Sequence, residues 1–202
     1  MQANRPLTEY DYLDLIEKDP NFFDQIPEEY QNRAFYLKAA RSNWQVLNLI
    51  PKIELDQELY SIAVAENGYA LSLIPSEFHS LELYKSALNS NCSSFHLMEN
   101  DLKTQDLCEI AVSKLCWNLQ HVPDKYQTTK MCLFVVKKSG ICLQYVNNQT
   151  PEICLEAMLK DNESWKYVSD FFCPRTTFNE VFRTIKYKVN SKIIKETIRS
   201  IS

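Results

Sequence analysis

An apolar residue recurs at a fixed interval along the chain, at first followed by proline, and this period constrains the fold more than any other feature. The spacing is 24 residues throughout, except for the last interval of 22. The anchors are Ile26-Pro27, Ile50-Pro51, Ile74-Pro75, Met98, Val122, Val146 and Val168. A period of this size is typical of stacked structural repeats, in which neighbouring units cover one another's apolar faces.

Positions at fixed distances from the anchors keep a constant chemical character. Three residues before each anchor the side chain is large and apolar, as Phe23, Leu47, Leu71, Phe95, Leu119, Leu143 and Trp165. Eleven residues before, alanine predominates, as at Ala39, Ala63, Ala87, Ala111 and Ala157. Eighteen residues before lie preferred helix N-caps, namely Thr8, Asn32, Asp56, Ser80, Thr104, Thr128 and Thr150. We therefore expect one buried packing column at each apolar offset.

The same columns predict two helices in each repeat. A first helix of about eleven residues follows the cap and ends near Asn43, Asn67-Gly68, Asn91 or Ser139-Gly140, where a left-handed turn is tolerated. A shorter second helix follows, as over residues 69–74, and proline then breaks the chain. The prediction is an all-α fold, an α-solenoid of about seven short helical-hairpin repeats over residues 8–173. Where proline is missing, at Glu99 and Asn147, the turns are expected to differ.

The C-terminal residues 174–202 form a separate segment by charge. Residues 1–174 contain 15 basic and 24 acidic residues, whereas residues 175–202 contain 7 basic and 2 acidic residues. We expect a basic capping helix or helix pair, because the end of a repeat array needs a polar outer face. The alternative is an amphipathic helix that contacts a membrane surface or another anionic surface.

Length and composition restrict the location of the protein. No run of eighteen apolar residues occurs, and the N-terminal residues have no apolar secretory segment. Seven cysteines without regular disulfide spacing are typical of small buried apolar side chains in a reducing compartment. We therefore expect a cytoplasmic, non-transmembrane protein without a signal peptide.

The usual signatures of chemistry are missing from the sequence. Only two glycines occur, Gly68 and Gly140, and neither lies in a phosphate-binding motif. No zinc-binding spacing is present, so neither a metal nor a cofactor is expected. A Cys116–His121 nucleophile pair is conceivable, but the repeat places a helix break between them. The acidic repeat region disfavours nucleic-acid binding.

Several bulky residues occupy positions that the repeat predicts to point outward. They are Tyr69, Trp117, Ile141, Phe134 and Ile110, together with His96. Exposed aromatic residues are typical of interfaces, although coverage by adjacent repeats or by the C-terminal segment is an equal alternative. We interpret these six residues as candidate partner-binding residues, with no catalytic residue assigned.

Residues 63–75, AVAENGYALSLIP, resemble the consensus of a short helical repeat of about 24 residues, and residues 106–123 are a weaker match. This repeat family, of unknown function, is found in Legionella-type translocated effectors and related proteins of amoeba-associated bacteria. The resemblance implies a bacterial protein that acts inside a host cell. Our first hypothesis is a non-enzymatic scaffold that binds a host or bacterial protein, as a translocated effector or a regulator of another effector. A membrane-surface adaptor and an enzyme with a site formed across repeats are the alternatives. The oligomeric state is left open.

Overall fold

The computed structural model describes residues 5–171 and 178–201. Within those residues every regular element is a helix and no strand occurs, which confirms the all-α prediction. The chain divides into two compact units, Met1–Leu102 and Lys103–Ser202. The predicted boundary between residues 173 and 174 lies outside the described residues.

Short α-helices of uniform length recur along both units. In the described part of the chain, seven of them are ten residues long: α1 Glu9–Lys18, α2 Arg33–Ser42, α3 Gln57–Glu66, α4 Leu81–Ser90, α5 Gln105–Lys114, α6 Thr129–Lys138 and α7 Pro151–Lys160. The predicted N-cap side chain accepts a backbone hydrogen bond in every case, as from Leu59 N to Asp56 and from Met131 N to Thr128. These bonds satisfy N–H groups that a helix start otherwise leaves unpaired.

The second helix of each repeat has 3-10 rather than α geometry. These helices are Pro20–Gln25, Trp44–Asn48, Gly68–Leu73, Cys92–Leu97, Cys116–His121, Gly140–Tyr145 and Asn162–Tyr167. Where the anchor is followed by proline, a further turn of 3-10 helix forms, at Glu28–Tyr30, Lys52–Glu54, Ser76–Phe78 and Asp124–Tyr126. The aromatic residues of two such turns fold back on the preceding α-helix, since the rings of Phe78 and Tyr60 lie 5.0 Å apart and those of Tyr30 and Tyr12 5.6 Å.

The predicted left-handed ends of the α-helices are wrong. No described residue has a positive φ, and the C-cap residues are extended, as at Asn67 with φ −150° and ψ 122°. The position of the helix end is nevertheless as expected. The end is extended because Asn67 serves two helices. Its N–H donates to Ala63 O at 2.9 Å, and its side chain accepts from Tyr69 N at 3.1 Å. An extended residue ends α3 and starts the 3-10 helix at once.

Within each unit, helices pack on their neighbours in sequence. In the first unit α1 contacts α2, α2 contacts α3 and α3 contacts α4; in the second, α6 contacts α5 and α7. The predicted alanine column is buried, with Ala63, Ala87 and Ala111 completely inaccessible to solvent. The large apolar column is buried as well, apart from its last member, Trp165, which is half-buried. Burial of these columns provides the main stabilising free energy of each unit.

The basic segment forms one helix over the residues described, α8 Phe178–Ile201. It packs on α7, and its buried residues Val181 and Ile185 are one helical turn apart. Residues 172–177, which precede it, lie outside the described residues. Among the helices that the structure describes, none combines the length and the apolar character needed to cross a membrane.

Candidate interaction surface

Two of the candidate residues lie on the outer side of the α-helices of the second unit. Phe134 of α6 is 42% exposed and Ile110 of α5 is 36% exposed. Both helices turn their buried columns inward, at Val112 and Val136 for example, which leaves these positions on the opposite side. An apolar groove of about 200 Å³ runs between the helices, lined by Glu109, Val112, Ser113, Thr128, Lys130, Met131 and Phe134.

Lysine side chains border this groove on the α6 side. Lys138 Nζ lies 4.5 Å from the centre of the Phe134 ring and donates to Ser113 O at 3.2 Å, so it links α6 to α5. Lys130 lines the groove at the other end of α6 and is exposed. Lys137 is directed away from the groove, to Glu156 of α7, with its Nζ 3.9 Å from a carboxylate oxygen. A cation over an aromatic face contributes about 0.5–1 kcal/mol at an exposed site. The Phe134 ring is thereby held in place although it faces solvent.

Trp117 and Ile141 lie on the 3-10 helices of the same unit. Trp117 is 39% exposed, and its ring meets the edge of Tyr145 at a centroid distance of 5.9 Å. Ile141 is half-buried. Trp117 is thus positioned by an aromatic contact with the next 3-10 helix, and much of its ring remains accessible.

The other two candidates, Tyr69 and His96, lie in the first unit and contact each other. Their rings are 6.0 Å apart in an edge orientation, and His96 Nδ1 is 2.7 Å from Ser93 O. Tyr69 is half-buried and His96 is exposed. The six candidates therefore fall into three groups: Ile110 with Phe134, Trp117 with Ile141, and Tyr69 with His96. Their role in binding stays a prediction.

The sequence reasoning missed a column of polar residues, and three of them link successive repeats. It consists of the residue immediately before an N-cap, and Gln31, His79, Lys103, Gln127 and Gln149 are its polar members. Gln127 Nε2 donates to Tyr145 O at 3.1 Å, and Gln149 Nε2 donates to Tyr167 O at 2.8 Å. In each case the carbonyl lies 18 residues further along the chain. The polar character of the position before the N-caps is the sequence signal that identifies this column.

Lys103 is the charged member of this column and is 3% exposed. Its Nζ donates to His121 O at 2.9 Å, which is the bond that Gln127 and Gln149 make in the following repeats. Burial lowers the pKa of Lys103, because the charged form loses hydration. The shared geometry assigns Lys103 a structural role in joining two repeats.

His79 occupies the same column in the first unit. Its Nε2 lies 3.2 Å from Ile74 O and its Nδ1 lies 3.0 Å from the Tyr84 hydroxyl. A carbonyl only accepts, so Nε2 carries a proton and donates to Ile74 O. The Tyr84 oxygen accepts in turn from Glu99 N at 2.9 Å. Burial raises the pKa of Tyr84.

Both members of the conceivable Cys116–His121 pair lie on one 3-10 helix of the second unit. The Cys116 thiol interacts electrostatically with that of Cys142, in the next 3-10 helix. His121 ends the 3-10 helix that Cys116 begins, and its carbonyl binds Lys103. No group of three or more potential metal ligands occurs among the described residues.

No protein-family model matches the chain, and neither a curated protein nor a solved structure matches it significantly.

Proposed function

We propose that this protein is a non-enzymatic scaffold that binds another protein through the outer surface of its second unit. The observation that carries the proposal is the contrast between buried columns and exposed bulky side chains on the same helices. On α5 and α6, Ala111 and Val135 are completely buried, whereas Ile110 and Phe134, one residue before each, are exposed. Exposed aromatic residues around an apolar groove are typical of protein-binding surfaces.

The repeat period supports the finer description of this scaffold as an α-solenoid of seven repeats. Each of the seven anchors is preceded by an α-helix and a 3-10 helix of nearly constant length. An array of this kind offers similar positions at regular spacing, and its outer side chains are free to vary. The resemblance to the repeats of translocated effectors supports a role as an effector or as a regulator of one.

The groove between α5 and α6 favours a partner segment with a bulky apolar side chain flanked by acidic residues. The apolar lining comes from Val112, Met131 and Phe134. Lys130 borders it and is exposed, whereas Glu109 is the acidic residue in the lining. Complementary charge steers such a segment toward the groove, and the apolar contact provides most of the affinity.

The test is a pull-down with the full chain as bait, from a host-cell lysate and from the producing bacterium. The affinity of a stoichiometric partner is then measured for the unmutated chain, for the double variant Ile110→Ala/Phe134→Ala and for Trp117→Ala. We expect at least about tenfold weaker binding for the double variant, since hot-spot truncations cost about 2 kcal/mol or more. The matched control is Ile53→Ala, because Ile53 is 90% exposed but lies in the first unit.

Two results contradict the proposal. One is equal loss of binding in Ile53→Ala and in the double variant, which indicates nonspecific adhesion. The other is a large drop in the melting temperature of the double variant, which indicates that Ile110 and Phe134 belong to the core. A partner-free activity that is abolished by Cys116→Ser or His121→Gln supports the enzyme alternative instead.

One observation favours contact of α8 with an anionic surface as a second candidate. Val181 and Ile185 face α7, whereas Arg183, Lys186 and Tyr187 are exposed, Tyr187 to 74%. A basic helix side with an exposed tyrosine is suited to an anionic lipid surface. Sedimentation with anionic and with neutral vesicles tests this. Binding to anionic vesicles that is lost in Arg183→Glu/Lys186→Glu supports the second candidate, and absence of binding excludes it.

A further inference from the structure

Two cysteines of successive 3-10 helices in the second unit face each other. Cys116 is the first residue of Cys116–His121, and Cys142 is the third residue of Gly140–Tyr145. The two 3-10 helices contact each other, the two thiols interact electrostatically, and both are reduced. Cys116 is half-buried and Cys142 is completely buried. The solvent therefore reaches one member of the pair.

The repeat allows an independent check of the backbone distance. Gly68 and Ser94 occupy the positions of Cys116 and Cys142 two repeats earlier, each 48 residues before its counterpart. A Cβ atom added at Gly68 would lie 3.0 Å from Ser94 Cβ. Cβ atoms joined by a disulfide are about 3.5–4.5 Å apart. Glycine permits this approach at Gly68, because the added Cβ would also lie 2.5 Å from Ala87 O. With cysteine at the corresponding position the helices must stand slightly further apart, toward the disulfide range.

We propose that Cys116 and Cys142 form a reversible disulfide bond that links these two 3-10 helices when the protein meets a disulfide or peroxide oxidant. The inference is independent of the proposed function, because it rests on the thiol pair alone. With oxidised glutathione, the Cys116 thiolate attacks one sulfur and releases one glutathione thiolate. Cys142 then attacks the Cys116 sulfur of the mixed disulfide and releases the second. Two protein thiols are oxidised, one glutathione disulfide is reduced, and the two protons pass to the two glutathione thiols.

The surroundings assign different roles to the two thiols. Burial raises the pKa of Cys142 to about 12, so its thiolate is not stabilised in the reduced protein and gives no extra stability to the reduced state. Cys116 is only half-buried, so it is the thiol that an oxidant reaches. The Ser139 side chain partly offsets this rise in the pKa of Cys142, which favours the thiolate during the second step. The bond would also tie together the helices that carry Trp117 and Tyr145.

The experiment exposes the reduced full-length chain to oxidised glutathione under native conditions, followed by alkylation, digestion and mass spectrometry. We expect a cross-linked peptide pair containing Cys116 and Cys142, lower in mass by two hydrogen atoms, in a monomeric protein whose circular dichroism is unchanged. Dithiothreitol should reverse the change. Cys142→Ala should instead accumulate glutathione on Cys116, because the resolving thiol is gone. Alanine is tolerable there, since Ala70 occupies the corresponding position in an earlier repeat.

The matched control is Cys92→Ser. Cys92 begins its 3-10 helix as Cys116 does and is also half-buried, but the residue 26 positions later is Asn118, which has no thiol. This variant should form the Cys116–Cys142 bond at the same rate as the unmutated chain. The proposal is overturned if the folded, unmutated chain keeps both thiols reduced, if it stops at the glutathione adduct of Cys116, or if other cysteines cross-link instead.

Discussion

The two compact units repeat one helical pattern but place different residues at corresponding positions. Four residues after the N-cap, the first unit has tyrosine, at Tyr12, Tyr36, Tyr60 and Tyr84, and the second has cysteine, at Cys108, Cys132 and Cys154. Residues 1–102 include 7 basic and 16 acidic residues, a net charge of −9, whereas residues 103–202 include 15 and 10, a net charge of +5. The backbone pattern is therefore compatible with quite different side-chain chemistry.

The difference extends to the way in which one backbone N–H is satisfied. Where proline follows the anchor, as at Pro27, there is no N–H to satisfy. Where it does not, an acceptor is present: the Tyr84 hydroxyl for Glu99 N in the first unit, and the Gln127 side-chain oxygen for Asn147 N at 3.1 Å in the second. The altered turns expected at Glu99 and Asn147 are confirmed, since no 3-10 helix follows either. Both units meet the same requirement with the side chain that their columns provide.

The largest effect is expected from truncation of the tyrosine column. Tyr84→Ala should lower the free energy of unfolding by about 3–5 kcal/mol, because it leaves a large cavity and removes the acceptor for Glu99 N. Cys132→Ala, at the corresponding position of the second unit, should cost only about 1 kcal/mol because far less buried volume is lost. Urea denaturation followed by circular dichroism measures both. Equal losses would mean that the two columns are energetically equivalent.

The second prediction uses alkaline pH. Burial raises the pKa of Cys132 to about 11 and that of Cys154 to about 12, against 9.0 for a free thiol. A raised thiol pKa contributes stability below pH 9 that is lost as pH rises toward the folded-state pKa. For each of these thiols, the free energy of unfolding should fall by about 1 kcal/mol between pH 9 and pH 10. Trp117 and Trp165 fluorescence follows the second unit and Trp44 the first, in urea with reductant.

Loss of stability should therefore begin at a lower pH for the second unit. In the first unit burial raises the pKa values of Tyr36, Tyr60 and Tyr84 above 10.0, so its own loss begins later. Cys132→Ala should reduce the dependence of the second unit's unfolding free energy on pH by the contribution of that thiol. The Cys92→Ser control should leave this pH dependence unchanged. A slope that is the same for both units would contradict this distinction.

The third prediction concerns the acceptor for Asn147 N. Gln127→Ala should cost about 1–2 kcal/mol, because it leaves this N–H and the Tyr145 carbonyl without their partner. Asn147→Pro should cost less than Gln127→Ala. It removes the N–H itself and loses only the exposed side-chain bond to Asp124, while Val146 is already extended and proline occupies this place in earlier repeats. The double variant should then cost less than the sum of the single variants. Strict additivity in urea denaturation would show that Gln127 does not stabilise the protein through Asn147.

The smallest effect is expected from ion pairs between helices. Arg33 Nη2 lies 2.7 Å from Asp56 and 2.8 Å from Glu58, which joins α2 to α3 in the first unit. Arg33→Met should cost about 1 kcal/mol or less at low salt, and less still in 1 M salt, because the groups are largely hydrated and screened. Lys137→Met is the control in the second unit, where the pair with Glu156 is longer, at 3.9 Å. A larger loss for Lys137→Met would reverse the comparison.

The candidate surface could be predicted from the sequence only in part. The repeat indicated outward positions for Ile110, Trp117 and Phe134, and all three are exposed. It did not predict that Trp117 lies against Tyr145 or that Lys138 covers Phe134, because those contacts depend on the distance and angle between successive helices. The sequence places Lys103 in the column before the N-caps, but its burial and its bond to His121 O depend on the tertiary packing.

The sequence by itself determined the helical class, the N-caps and the buried columns, because a constant period gives each residue the same neighbours in every repeat. Thr104 and Ala111 illustrate this, one as a cap and the other as a buried contact. Only the tertiary structure decided the 3-10 geometry of the second helices, the extended ends of the α-helices and the meeting of Cys116 with Cys142. Those features follow from how closely two backbones approach, and that distance depends on all the side chains packed between them.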